Sequence, residues 1–157
     1  MVVALAGVAT LWWTYFDFTA VAAARSLRRT PPEKRGPMAR DVFTFFHYPV
    51  VLGIILFAVA AKKTLEHPSD PLSDAGRWAL GLGFAFFLLG LALARFRALR
   101  RVSWERMGAA GLALVAAVAL DGTDAIVTLS VVTGILVAFT ALETARLREI
   151  RTSVRAG

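Results

Sequence analysis

At 157 residues the chain has room for one domain, and 57% hydrophobic residues with a mean hydropathy of +0.63 place that domain in a membrane. A net charge of +7 would suit nucleic acid in a soluble protein. Here the cations flank apolar runs, so they are read as topology determinants and partners of anionic lipid, and nucleic acid is excluded. The absence of cysteine excludes disulfides, thiolate metal sites, iron–sulfur ligation and a cysteine nucleophile.

The first predicted span covers Val2 to Ala24, ~34 Å of helix at 1.5 Å per residue, enough to cross a core of about 30 Å. It lacks the basic n-region of a signal peptide and reads as a retained helix. A basic loop, 25–40, follows, and Pro31, Pro32 and Pro37 are expected to keep it out of the helix. Asp41 suits the first turn of a second helix running to Ala61, closed by Lys62 and Lys63. Pro49 lies inside that helix and predicts a kink one turn back, near Phe45 and Phe46.

The His67-Pro68-Ser69-Asp70-Pro71 segment excludes helix between Glu66 and Asp74. A third span runs from Ala75 to Ala94, with Trp78 near one interface and Gly81, Gly83 and Gly90 available for close helix packing. A loop carrying Arg95, Arg97, Arg100, Arg101 and Arg106 leads to a fourth run, Met107 to Leu120. That run is short at ~21 Å and needs Val102 to Trp104 to cross the bilayer. After the turn Asp121-Gly122-Thr123-Asp124 comes a fifth run, Ala125 to Leu142, and then a charged tail, Glu143 to Gly157, expected as a helix extension or a disordered end. Thr128, Ser130, Thr133 and Thr140 can bond their own helix or a neighbour.

Fifteen lysines and arginines fall on alternate connections, against Lys62, Lys63 and Arg77 on the others. The positive-inside rule then gives an all-α, polytopic transmembrane helical bundle of about five spans, N-terminus outside and C-terminus cytoplasmic, in the bacterial inner (cell) membrane. A re-entrant pair for the last two runs would return the tail to the same side. A chain that starts outside and enters directly into an apolar helix is expected to be the C-terminal part of a longer protein, with residues 1–157 one transmembrane domain.

Asp17 is the residue that demands a reason, because an ionised carboxylate costs about 2.5–3.5 kcal/mol in mid-membrane on insertion scales and normally faces a partner or a wet cavity. It lies eight residues before Arg25, and His47 six residues after Asp41, so antiparallel helices would bring the two level, about 9–12 Å from the basic end. Such a pair favours imidazolium and could respond to protons or ions; a static hydrogen bond fixing helix register is the competing role. Trp13, Tyr15 and Tyr48 are candidate neighbours, and Phe43 lies one turn from His47. Arg40 and Asp41 could form a cytoplasmic mouth, and Arg97, Arg100 and Arg101 a basic loop facing lipid.

Glu66, His67, Asp70 and Asp74 have the chemistry of metal ligands but not the spacing of a built site, so no metal is expected. With two histidines, one in that loop, paired haem ligation within the bundle is excluded, and no phosphate loop or nucleophile elbow occurs; no cofactor is expected. An intramembrane enzyme therefore ranks third as a reading.

Three segments resemble the bacterial low temperature requirement A family. Trp13-Thr14-Tyr15-Phe16-Asp17 looks like its W-x-Y-F-D segment, and Phe43-Thr44-Phe45-Phe46-His47-Tyr48-Pro49-Val50-Val51-Leu52-Gly53-Ile54 looks like its aromatic H-x-P-x-x-x-G-I helix. His67-Pro68 with Pro71-Leu72 ahead of a Gly-rich span is the third. The resemblance covers about the first ninety residues; Phe18 and Thr19, following Asp17, depart from it. It implies a membrane protein about twice this length, named for growth in the cold, so partners of Asp17 and His47 could lie in missing N-terminal helices or in a homo-oligomer. Two functions are expected: a transporter or channel-like module using the Asp17/His47 site, or a non-catalytic membrane protein acting through membrane lipids or a partner protein in cold adaptation.

Overall fold

The computed structural model describes residues 1–16 and 20–156, with side chains for 1–16 and 24–146. Helices α1 (Val2–Thr14), α2 (Ala20–Arg29), α3 (Pro32–Arg40), α4 (His47–Glu66), α5 (Asp74–Leu99), α6 (Trp104–Ala119) and α7 (Ala125–Ala156) follow in order, with a π-helical turn at Asp41–Phe45 between α3 and α4. Among the described residues there is no strand, only an isolated bridge between Pro71 and Asp124. The all-helical class is as expected.

Among the described residues, three helical stretches are long and apolar enough to cross a membrane: Pro32–Glu66, Asp74–Leu99 and Ala125–Arg146. The boundaries differ from the sequence reading at several places, each for a local reason. In the first run regular α-helix, ~20 Å long, gives way to π-type bonding at Tyr15 and Phe16; residues 17–19, Asp17 among them, lie outside the described ones, and helix is again described from Ala20 as α2. The prolines of the basic loop do not keep it out of helix. Pro32 occupies the first helical turn, where no N–H is needed and the fixed φ is an advantage, so α3 starts there and carries Pro37 inside it. The following regular helix begins at His47 because the chain passes through the π-turn and Phe46, just ahead of Pro49.

Helix α5 runs five residues past Ala94 and stops at Arg100 in the left-handed region (φ 54), so Arg95 and Arg97 are helical and not in a loop. Helix α6 starts at Trp104, and the tail is a continuation of α7.

Helix α5 is the axis of the bundle, packed by α4 on one side and α6 on another, with Leu80, Phe84, Phe87, Leu88 and Leu91 all at most 1% exposed. In hydrocarbon, apolar burial gives no net drive to associate, so close packing has to hold these helices together. The α4–α5 contact is made through glycine. A Cβ at Gly53 would lie 2.5 Å from Gly83 O and 2.6 Å from Phe87 N, so the two backbones touch. Gly83 and Gly90 face α4, whereas Gly81 faces Leu114 and Ala117 of α6.

Helix α1 stands at the periphery on α7, burying Ala4, Gly7, Leu11 and Thr14, a stripe at helical spacing. At one end of the bundle the 67–73 loop satisfies the first amides of α7: Ala125 N–H donates to Asp70 O (3.0 Å) and Ile126 N–H to Pro68 O (3.0 Å). At the opposite, basic end, α2 and α3 fold over the last turns of α5 around a small second core of Met38, Val42 and Ala94.

Candidate functional site: a cleft between α1 and α4 and the ion pairs that frame the bundle

Helices α1 and α4 meet at Gly7, where the Phe57 ring tip fills the space a Cβ would need, 2.5 Å from that position. From this contact they leave a cleft of about 970 Å³ running from Met1 and Glu66 at one end to Phe16 and His47 at the other. Its floor is apolar, built by Ala4, Leu11, Val50 and Phe57, and its rim by Leu5, Val8 and Trp12. Among the described residues, its ionisable groups lie at its extremities. Lys62 and Glu66 pair loosely at one end (3.6 Å), and Tyr15 and His47 meet edge to face at the other, with ring centroids 5.7 Å apart.

The antiparallel course of α1 and α4 thus brings His47 level with Tyr15, the residue two before Asp17. Asp17 itself lies outside the described residues. Tyr15 and His47 are both half-buried. Trp13, one residue from the cleft wall, turns away and lines a separate groove of about 660 Å³ between α1 and α7; Trp12 is the tryptophan on the His47 side. Tyr48 is 67% exposed, and Phe43 also points outward. Phe16 packs against both Tyr15 and Trp12 at centroid distances of 4.8 and 5.1 Å.

At the basic end Asp41, in the π-turn, accepts from Arg97 Nε at 2.9 Å, while Arg40 stands 3.8 Å away and lies over the Phe45 ring. The stronger tie is therefore between the π-turn and α5, and Arg97 is engaged within the protein. Arg100 and Arg101 are exposed and make no ion pair among the described residues.

The most buried ionic group is one that sequence reasoning treated as a loop charge. Arg106, 1% exposed, donates from Nε to Glu143 Oε1 (3.2 Å) and from one terminal guanidinium nitrogen to both Oε1 (3.0 Å) and Oε2 (3.2 Å), and Arg95 reaches the same carboxylate at 3.3 Å. Two guanidinium groups on one carboxylate tie together the basic ends of α5, α6 and α7. Removing one partner from such a set leaves an uncompensated buried charge, which makes the set a lock on helix arrangement. The available signal was depth: Glu143 is the first acid after the last apolar run, level with Arg95 and Arg106.

At the other end Arg77 bridges Asp74 and Asp121, joining the start of α5 to the end of α6. Helix α6 is thus pinned at both ends of a bundle whose height, from Arg77 to Arg95 on α5, is about 27 Å. Between these two clusters, Thr14 and Thr140 share a buried hydrogen bond of 2.8 Å that joins α1 to α7.

The candidate metal residues behave as surface charges. His67 lies 3.6 Å from Asp70, both exposed, Glu66 faces Lys62 and Asp74 faces Arg77; among the described residues no group of three or more metal-type ligands comes together.

No curated protein and no solved structure matches the chain. The profile of the bacterial low temperature requirement A protein matches residues 1–141, which takes in α1 to α6, most of the apolar part of α7 and every residue of the cleft. With nine-tenths of its length accounted for in this way, the chain belongs to the bacterial low temperature requirement A (LtrA) family of membrane proteins.

Proposed function

We propose that the protein is a five-span bacterial inner-membrane protein, N-terminus outside and C-terminus cytoplasmic, working as a transporter or channel-like module with a proton- or ion-responsive site at the cytoplasmic end of the α1–α4 cleft. The charge asymmetry of its connections supports the topology, as does the course of α6, whose start shares the Glu143 carboxylate of α7 with Arg95 near the end of α5 and whose end is followed by Asp121, paired with Arg77 near the start of α5. One observation carries the functional reading: Tyr15 and His47 face each other across the end of an otherwise apolar cleft. The His47 imidazole is the proton-exchanging group of the proposed site, and Asp17, two positions after Tyr15 in the sequence, is its proposed carboxylate partner.

The test is flux of protons and monovalent cations into proteoliposomes. Asp17→Asn and His47→Gln are expected to abolish pH-dependent flux while helical content and monodispersity stay at wild-type levels. Folded variants with unaltered flux and unaltered growth in the cold would overturn the reading.

A second reading is favoured by Arg100 and Arg101, exposed and without ion-pair partners among the described residues: a non-catalytic protein acting through lipid or a partner protein. Here neutralising Arg97, Arg100 and Arg101 abolishes growth in the cold, whereas Asp17→Asn has little effect.

A further inference from the structure

The segment 25–40 has the composition of a solvated basic loop, yet it is folded. Helix α2 is docked on the end of α5 by Ser26, whose hydroxyl donates to Ala98 O at 2.7 Å, and α3 by Met38, packed with Val42 and Ala94. The turn between the two helices is fixed by Arg35, which donates from Nε to Thr30 O (2.7 Å) and from its terminal amine to Arg28 O (3.3 Å). This elbow carries Arg28 and Arg29 to the same end of the bundle as Arg100 and Arg101, two residues beyond Ala98. All four are exposed and have no ion-pair partner among the described residues. Asp41 is already occupied by Arg97. Beside the cations, Leu99, Val102 and Trp104 are exposed at 38%, 47% and 71%, a mixture of apolar and indole surface suited to a membrane interface and poorly suited to water.

We infer that the α2–α3 elbow and the Arg100–Arg101 corner form one preorganised shelf for the phosphate headgroups of anionic phospholipid in the leaflet at the basic end. The inference rests on the second reading above and names its ligand. Topology alone requires only that positive charge be present; a folded elbow holding four unpaired guanidinium groups beside an exposed indole adds fixed geometry, which lowers the ordering cost of binding a phosphate.

The experiment measures association of spin-labelled phosphatidylglycerol and phosphatidylcholine with the full chain in nanodiscs. Relative to wild type, the variant R28Q/R29Q/R100Q/R101Q is expected to lose about tenfold in preference for phosphatidylglycerol. K62Q/K63Q, at the opposite end, keeps the preference, whereas the all-lysine exchange R28K/R29K/R100K/R101K, which retains charge but not the planar guanidinium fork, loses part of it; wild-type preference in that variant would reduce the shelf to charge alone and overturn the inference. Thermal unfolding followed by circular dichroism shows that each variant is folded, and excess inorganic phosphate leaves the preference unchanged if the ligand is a lipid headgroup. Wild-type preference in the glutamine variant, an equal loss in K62Q/K63Q, or displacement by inorganic phosphate overturns the inference. If the glutamine variant loses lipid preference but grows normally in the cold, the shelf stands and the second functional reading falls.

Discussion

The two sides of α4 are built on different principles. Toward α5 it offers Gly53, and the backbones approach until no Cβ fits between them. Toward α1 it offers Phe57, Ile54 and Ala58, and the helices touch at Gly7 and then part to leave a cleft. In a bilayer both sides are apolar, so hydropathy cannot distinguish them. What separates them is how closely the surfaces fit, which is the quantity that drives helix association when lipid is the solvent. The α4–α5 side is thus the fixed frame, and the α1–α4 side is where a ligand, a lipid chain or a change of helix position can be accommodated at little cost.

Adding a methyl group to each side breaks or sharpens this contrast. Gly53→Ala drives a Cβ into the Gly83 carbonyl and the Phe87 amide, both backbone, and is expected to destabilise by about 3 kcal/mol. Gly7→Ala meets only the tip of the Phe57 ring, which can turn toward the cleft, and is expected to cost about 1 kcal/mol. Unfolding from mixed micelles by denaturant, followed by circular dichroism, compares the two; equal losses would mean that the cleft side is as tightly built as the frame.

Next in size is Arg106→Gln. It removes the better-buried partner of Glu143 while Arg95 still neutralises part of the charge, so a loss of about 2–3 kcal/mol is expected in the same assay, below that of Gly53→Ala. The Arg106→Gln/Glu143→Gln double variant should then cost less than the two single changes added together, and simple additivity would show that the pair does not act as a unit. Smallest is Thr14→Val, which deletes the hydroxyl bond to Thr140 that holds α1 against α7; about 0.6 kcal/mol is expected. Because α1 is peripheral, the same substitution should raise the accessibility of Trp13, which lines the α1–α7 groove, to a lipid-borne quencher, a change not expected of Arg106→Gln.

Element type was legible in the sequence wherever apolar runs were long, which is why the third and fifth runs fall on α5 and α7. Boundaries failed at the basic segments. Proline composition points to a break where Pro32 in fact begins a helix, and charge at Arg95 and Arg97 points to a loop where α5 in fact continues. Long arginine side chains remove that restriction, reaching a carboxylate or the interface from the last turns of a helix. Helical rise alone sets His47 level with Asp17, which lies outside the described residues; the structure sets His47 against Tyr15, two residues earlier. That Trp12, and not Trp13, shares their side depends on the rotation of α1 against α7, which no residue count supplies.

The sequence by itself determined that this is an all-helical membrane chain, which end carries the positive charge and which family it belongs to, because these follow from local hydropathy, charge position and motif spacing. Only the tertiary structure decided that Glu143 collects Arg95 and Arg106, that the basic loop folds into an elbow on α5, and that α4 is closed on one side and open on the other. Those depend on contacts between residues far apart in the chain, where fit within a few tenths of an ångström decides whether two apolar helices lock or part.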